Sequence, residues 1–234
     1  MASGKFPERR PRPWNLRPAR TYIEVMRPIA ILAFLIFALI SRAQAAEQVA
    51  ALTPADRETV TKVEQALNGI RTLKSHFVQM SSNGGVAEGE LYLSRPGKLR
   101  INYAPPTKMQ LVVQRGYLIQ VDLKLGVLTY IPMSRTPASV LVRDNIKLEG
   151  DITVTGIGHA GGLLRVGMVQ NDKADEGSLT MLFDERSLEL KQWSVVDAQG
   201  IETRVTLTNP EVNGALDAHV FDFDESKFER NSME

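Results

Sequence analysis

The sequence predicts an α+β fold in a single domain: a strongly curved antiparallel sheet of about ten or eleven strands, forming an incomplete β-barrel with a helical lid. Two observations lead there: one stretch has helical periodicity, and most of the rest alternates with period two between short turn signals. A sheet of that size must curl or split. A closed barrel would leave the helical segments nothing to cover, so we expect them to lie over the open mouth of an apolar pocket.

The first predicted element is an amphipathic helix of about four turns. It is predicted to begin at Thr53 and Pro54, because threonine is a good N-cap and proline is favoured at the first helical position. Gly69 is placed near its end. Apolar side chains recur at spacings of three and four and form one stripe: Val60, Val63, Leu67 and Ile70.

Antiparallel strands are predicted from Leu73 onward, where apolar and polar residues alternate. Turn signals such as Pro96 followed by Gly97 separate these stretches. Because one face of each stretch is apolar, each strand should bury a single face. The clearest alternating sets are Leu91 and Leu93, then Leu99, Ile101 and Tyr103, and later Ile201, Thr203, Val205 and Leu207.

A second helical segment interrupts the strands at Thr136 and Pro137, which again combine a cap with a proline. We expect a short helix there. No repeat, linker or change of composition appears between residues 50 and 225. The sequence therefore predicts one domain over residues 46–234.

The amino terminus has the pattern of a signal peptide. An apolar run of twelve residues at 29–40 follows basic residues and precedes Ala43 and Ala45, an A-x-A cleavage site. A membrane-spanning helix needs about 20 apolar residues, so this run is too short to be one. We predict cleavage after Ala45, with residues 1–45 as the signal peptide and Met26 as a possible true start. The alternative is an uncleaved signal anchor; in either case the domain is exported, which predicts the periplasm.

Composition excludes several classes of function. Cysteine is absent, so disulfides, thiolate metal sites and a lipidated amino-terminal cysteine are excluded. Residues 46–234 hold 20 basic and 25 acidic residues, and this acidic balance argues against nucleic-acid binding. The three histidines are isolated, and no nucleophile or carboxylate pair is indicated by spacing. We therefore expect no metal, no cofactor and no enzymatic activity.

Arg95 is the charged residue whose position needs explaining. Counting by twos from Leu91 through Leu93 places Arg95 on the apolar face at the end of a strand. A guanidinium at the rim of an apolar cavity must find hydrogen-bond acceptors or stay hydrated. Spacing alone leaves two alternatives open: a buried arginine that binds acceptors, and one whose stem packs while its charge reaches solvent.

At these residues the sequence resembles the LolA family of periplasmic outer-membrane lipoprotein carriers. The resemblance runs from the first helix to about Phe223, nearly the whole exported chain, and its most specific part is the Arg-Pro-Gly run. The matching positions are Phe77 and Gln79; Gly89, Leu91, Leu93, Arg95, Pro96, Gly97, Leu99, Arg100, Tyr103 and Pro106; Leu111, Val112, Val113 and Gly116; and Thr136 and Pro137.

The resemblance implies that this chain carries acylated lipoproteins as a monomer. It implies release of cargo by an inner-membrane ABC-type complex, delivery to an outer-membrane receptor, and a gating arginine that maps onto Arg95. The implied lid partners of Arg95 are Leu67 on the first helix and Leu141 and Val142 on the second. The residues expected to line the cavity for acyl chains are Leu91, Leu93, Leu99, Ile101 and Tyr103.

The sequence differs from the family pattern in its tail, and the predicted fold is also compatible with a second function. The tail at residues 224–234 lacks the proline-glycine ending that many family members carry, which puts the way cargo is delivered in doubt. The alternative is a periplasmic lipid-binding or envelope-sensor module on the same curved sheet. A carrier should co-purify with lipoprotein, whereas a sensor should bring down a membrane regulator.

Overall fold

A computed structural model of the protein describes residues 52–228. The predicted signal peptide, its cleavage site and the last six residues lie outside this range. The α-helix is α1, Pro54–Asn68. The strands are β1 Thr72–Ser81, β2 Val86–Ser94, β3 Lys98–Tyr103, β4 Met109–Gln114, β5 Tyr117–Asp122, β6 Val127–Pro132, β7 Ile152–Ala160, β8 Leu163–Gln170, β9 Gly177–Asp184, β10 Leu190–Asp197 and β11 Glu202–Val212. Short 3₁₀ helices are Met133–Arg135, Pro137–Val142, Asn171–Glu176, Ala218–Phe221 and Glu225–Lys227.

Helix α1 begins and ends where its local sequence requires. The Thr53 hydroxyl accepts a hydrogen bond from the Asp56 backbone N–H at 3.1 Å, and the Asp56 carboxylate accepts one from the Thr53 N–H at 2.9 Å, which is a capping box. Gly69 follows the last helical residue. Val63 and Leu67 of the predicted stripe are fully buried. The predicted helix is confirmed at both ends.

The strands form one antiparallel sheet with the spatial order β6-β5-β4-β3-β2-β1-β11-β10-β9-β8-β7. Strand β1 lies in the middle, with a meander of five strands on each side, and β6 and β7 are the two edges. The sheet is curved and not closed. The predicted strand number and the open barrel are both confirmed. The long return from β6 to β7 contains the short helix predicted at Thr136, which is a 3₁₀ helix, Pro137–Val142, capped by the Thr136 hydroxyl.

The main hydrophobic core lies on the inner face of the sheet. It joins side chains from both halves of the sheet with the apolar stripe of α1 and the 3₁₀ helix Pro137–Val142. Representative members buried to 0–1% exposure are Val63, Leu67, Phe77, Leu91, Val140, Val166, Met181 and Phe183. The lid, by which we mean α1 and residues 137–148, is thus built into the core.

A second buried cluster lies on the outer face of the sheet. Val112, Ile119 and Val121 are at most 1% exposed but are not part of the main core. They alternate along β4 and β5 with inner-face residues. The carboxyl-terminal segment is fixed to this side: the Arg100 guanidinium donates to the Asp222 carbonyl at 2.9 Å, and the Tyr130 hydroxyl donates to Glu225 at 3.0 Å. This segment therefore covers the outer face near these strands.

Candidate functional site

The candidate site is centred on Arg95, directly after β2. Its backbone N–H donates to the Arg71 carbonyl at 2.9 Å, which fixes it at the rim of the sheet next to the start of β1. Its side chain is on the same face as Leu91 and Leu93 and is only 6% exposed. Of the two alternatives that spacing left open, the structure contains the buried arginine.

The Arg95 guanidinium bridges the two parts of the lid. Its Nε donates to the carbonyl of Leu141 at 2.9 Å, and Nη1 donates to the carbonyl of Leu67. Leu67 lies in the last turn of α1, where carbonyl groups have no partner within the helix and the helix dipole is negative. Helix α1 has no basic residue in its own last turn, so Arg95 supplies the cation from the sheet.

Burial of this cation has a cost that the two carbonyl groups offset. Desolvation, together with a smaller contribution from the positive charge of Arg71, lowers the pKa of Arg95 to about 10. The guanidinium is still protonated at neutral pH. Within residues 52–228 no carboxylate forms an ion pair with it, so its charge is stabilised by backbone dipoles alone. Such an arrangement depends on the position of the lid, because moving the lid takes the acceptors away.

Val142 joins the same site through its backbone. Its carbonyl accepts a hydrogen bond from the Gly97 N–H at 2.8 Å. Gly97 has φ +74°, a left-handed conformation that glycine adopts without strain. The structure therefore brings together Arg95 and the three lid residues that the family resemblance implied, Leu67, Leu141 and Val142.

Two further side chains join the parts of the lid, and the sequence analysis did not identify them. The side-chain amide of Asn68 pairs with the backbone of Ile146, accepting its N–H at 2.7 Å and donating to its carbonyl at 2.9 Å. The Glu64 carboxylate accepts the Leu148 N–H at 2.6 Å. Glu64 and Asn68 are four residues apart and so lie on one side of α1. That spacing was visible in the sequence, but their partners, about 80 positions away, were not.

The residues expected to line a cavity all face the lid side of the sheet. Leu91, Leu93, Leu99 and Ile101 are buried in the main core, together with the apolar side chains of the lid. Tyr103 is half-buried against this core and donates from its hydroxyl to the Gln79 side chain at 2.7 Å. With the lid closed, these side chains pack against one another and against the lid.

Other features of the described chain bear on what the site can do. A surface cleft of about 730 Å³ lies between α1 and residues 147–154, with Val60 and Ile152 among its lining. In the range 52–228, no helix has the length and hydrophobicity to cross a bilayer. In the same range, histidine and acidic side chains are nowhere grouped in threes as metal ligands.

Comparison with known proteins places this chain in a family. The family model described as outer membrane lipoprotein carrier protein LolA matches residues 68–224, more than half of the chain. An outer-membrane lipoprotein carrier protein of Azotobacter vinelandii is 30% identical over 190 residues, which cover 74% of this chain and 88% of that protein. One of Methylococcus capsulatus is 27% identical over 173 residues, 70% of this chain and 82% of that protein.

Solved structures with low sequence identity also align with this chain. A LolA superfamily protein of Nitrosomonas europaea aligns with a TM-score of 0.40 and 7% identity, over 70% of this chain and 97% of that one. A putative outer membrane lipoprotein-sorting protein domain of Vibrio parahaemolyticus has a TM-score of 0.45 and 9% identity, over 70% and 95% of the two chains. On the match of the family model and the curated relatives, this chain belongs to the LolA family of outer membrane lipoprotein carrier proteins.

Proposed function

We propose that this protein is a periplasmic carrier that holds the acyl chains of lipoproteins against the inner face of its sheet and moves them from the inner to the outer membrane. It works as a monomer and as a binding protein, not as an enzyme. It receives cargo from an inner-membrane ABC-type complex and passes it to an outer-membrane receptor. The observation that carries the proposal is the buried Arg95 guanidinium, which joins both parts of the lid to the rim of an apolar face.

The energetics favour a lid that opposes binding. Burial of an acyl chain gains about 0.8 kcal/mol per CH₂, so full enclosure of two or three long chains would approach the practical limit of about −20 kcal/mol for a non-covalent complex. A carrier with that affinity would not unload. Charged hydrogen bonds contribute about 1.5–3 kcal/mol each, so breaking the two bonds of Arg95 on opening offsets part of the gain.

The filled interior fits the empty state of such a carrier. The side chains of the lid and of the sheet cover each other's apolar surface when no cargo is present. In the loaded state the acyl chains would replace the lid as the partner of Leu91, Leu93, Leu99, Ile101 and Tyr103. The closed empty form and the open loaded form then lie close in free energy, so cargo can be both taken up and released.

The proposal is tested by capture of native cargo. The exported chain, residues 46–234, is added to inner-membrane vesicles that contain the ABC-type complex and newly acylated lipoproteins, with and without ATP. Mass spectrometry should identify triacylated lipoproteins in a one-to-one complex with the carrier in the ATP sample. Recovery of a membrane regulator with no lipoprotein would contradict the carrier and support the sensor alternative.

A further inference from the structure

Two aromatic residues meet across a glycine at the end of the inner face that is far from Arg95. In the sheet register, Gly89 of β2 lies opposite Phe77 of β1 and opposite Tyr103 of β3. The two rings are in edge-to-face contact, with centroids 5.4 Å apart. The Tyr103 hydroxyl donates to Gln79 at 2.7 Å, so the tyrosine is held from both sides.

Gly89 is required at this point because the neighbouring strand comes very close. A Cβ atom at position 89 would lie 2.1 Å from the backbone carbonyl oxygen of Asn102. Because Gly89 has no side chain, the rings of Phe77 and Tyr103 on the two flanking strands meet over it on the inner face.

This group marks a boundary between the apolar interior and water. Phe77 is 1% exposed, whereas Tyr103 and Gln79 are only half-buried. Burial raises the pKa of Tyr103 to about 12, so the phenol is protonated at any physiological pH and donates its hydrogen bond. Toward Arg95, by contrast, the inner-face positions of β2 are Leu91 and Leu93, both fully buried.

The distance from this boundary to the rim is slightly greater than the depth that an acyl chain occupies in a membrane leaflet. Arg95 is the sixth residue after Gly89, which at about 3.3 Å per residue corresponds to roughly 20 Å along the strand. The hydrocarbon core of a bilayer is about 30 Å thick, so an acyl chain in one leaflet takes up about 15 Å. A chain of that length that enters beside Arg95 would therefore end about 5 Å short of the level of Tyr103, and a somewhat longer chain would reach it.

We propose that Tyr103, held by Gln79 and Phe77 over Gly89, is the floor of the acyl-chain site and limits the length of chain that this carrier accepts. This inference rests on the proposed function. Up to the floor, each additional methylene of a chain gains a protein partner. Beyond it, further methylenes meet the aromatic pair or emerge into water and add no affinity.

The test is a chain-length series with saturated fatty acids as probes, from lauric through palmitic and stearic to behenic acid. Their affinities for the exported chain are measured by displacement of a fluorescent fatty acid. Affinity should rise about fourfold per methylene and level off near palmitic or stearic acid. In Tyr103→Ala the plateau should move to longer chains, so the ratio of the affinity for behenic acid to the affinity for lauric acid should rise about tenfold.

Tyr103→Phe is the matched control, because it keeps the ring and loses only the hydrogen bond to Gln79; its plateau should stay at the wild-type length. Circular dichroism checks that each variant is folded. If Tyr103→Ala does not fold, Tyr103→Leu, which shortens the side chain while keeping an apolar group in the core, should shift the plateau in the same direction.

Two results would overturn the inference in distinguishable ways. Wild-type affinity that rises without a plateau to behenic acid, or a plateau that does not move in Tyr103→Ala and Tyr103→Leu, removes the floor and leaves the carrier function intact. Failure of the wild-type protein to bind any fatty acid and any acylated peptide removes the proposed function as well.

Discussion

The sheet and the lid contribute to the same core but are attached in different ways. Each strand of the sheet is bound to its neighbours by ladders of backbone hydrogen bonds that run along its length. The lid is attached to the rim of the sheet by apolar contact, by the two bonds of Arg95 and by the bond from Gly97 to Val142. Side-chain pairs add to these attachments: Arg71 with Asp144, Arg143 with Asp151, and Gln170 with Ser139. The sheet can thus persist while the lid moves, because separating the lid breaks no strand pairing.

The same comparison gives a physical reason for the lid of the proposed carrier to stay closed without cargo. Val63, Leu67, Val140 and Leu141 are buried on the core side of the lid. Opening in water would expose these side chains and the inner face of the sheet together. A ligand with its own apolar surface removes that penalty. In the proposed mechanism, the cost of breaking the hydrogen bonds of Arg95 would then determine how much of the free energy of burial the complex retains.

The largest effect should come from a core residue of the sheet. Phe183→Ala removes a fully buried ring from β9 and should lower the free energy of unfolding by about 3–5 kcal/mol. Urea unfolding followed by circular dichroism measures the change. A loss below about 1 kcal/mol would show that the interior around Phe183 readily rearranges, and the contrast between a firm sheet and a movable lid would fail.

Arg95→Leu should affect transfer more than folding. The substitution removes both bonds of the guanidinium to the lid, and it also removes a buried charge, so the free energy of unfolding should fall by about 2–3 kcal/mol, less than in Phe183→Ala. The closed empty state loses its advantage, and release of a bound acylated peptide to acceptor vesicles should slow on the order of 100-fold. The variant should still take up the peptide.

Arg95→Lys is the control for that experiment. It keeps the charge but replaces the planar two-armed donor with one ammonium group, so its release rate should lie between those of the wild type and Arg95→Leu. Normal transfer by Arg95→Leu would contradict a gating role for this residue.

Asn68→Ala should loosen the lid internally by a smaller amount. It removes both hydrogen bonds between the end of α1 and Ile146, each worth about 1 kcal/mol. Hydrogen exchange at the Ile146 amide should accelerate by about tenfold, while amides in β1 and β11 stay unchanged. Asn68→Asp, which keeps the acceptor for the Ile146 N–H, should have a weaker effect. Equal acceleration throughout the sheet would mean that lid and sheet open together.

The smallest effect is expected in the carboxyl-terminal segment. The Asp222 carboxylate, 2.8 Å from the His219 ring, raises the pKa of that exposed histidine. The interaction favours the folded segment while His219 is protonated, and it is lost as pH rises through the raised pKa. NMR titration should give a lower midpoint for His219 in Asp222→Asn. An unchanged midpoint would show that the pair does not form in solution; added salt should also weaken it.

Local features of the fold could be predicted from the sequence because their causes are local. Thr53, Pro54 and Gly69 mark the ends of α1, since capping depends on residues within one turn. The position of Arg95 on the apolar face follows from counting along one strand. The acceptors of its guanidinium could be named only from the family resemblance, because Leu67 and Leu141 lie 28 and 46 positions away in the sequence.

The outer-face cluster was not predicted, although the sequence contains a signal for it. Leu111, Val112 and Val113 are consecutive apolar residues in β4, so both faces of that strand need cover. The alternation in the other strands indicates only one buried face for the sheet. Which segment supplies the second cover depends on where the chain runs after β11, and this cannot be read from a pattern within β4.

The unpaired outer sides of β6 and β7 have a consequence for the size of cargo. Residues 133–151, which include the second part of the lid, connect these two strands. Among the described strands, β6 and β7 are the two that pair with only one neighbour. If residues 133–151 move away, β6 and β7 can move apart and the curved sheet can widen while every pair of neighbouring strands stays hydrogen-bonded. In the proposed carrier, an open sheet could adjust its diameter to the number of bound acyl chains, which a closed barrel of fixed strand number could not do.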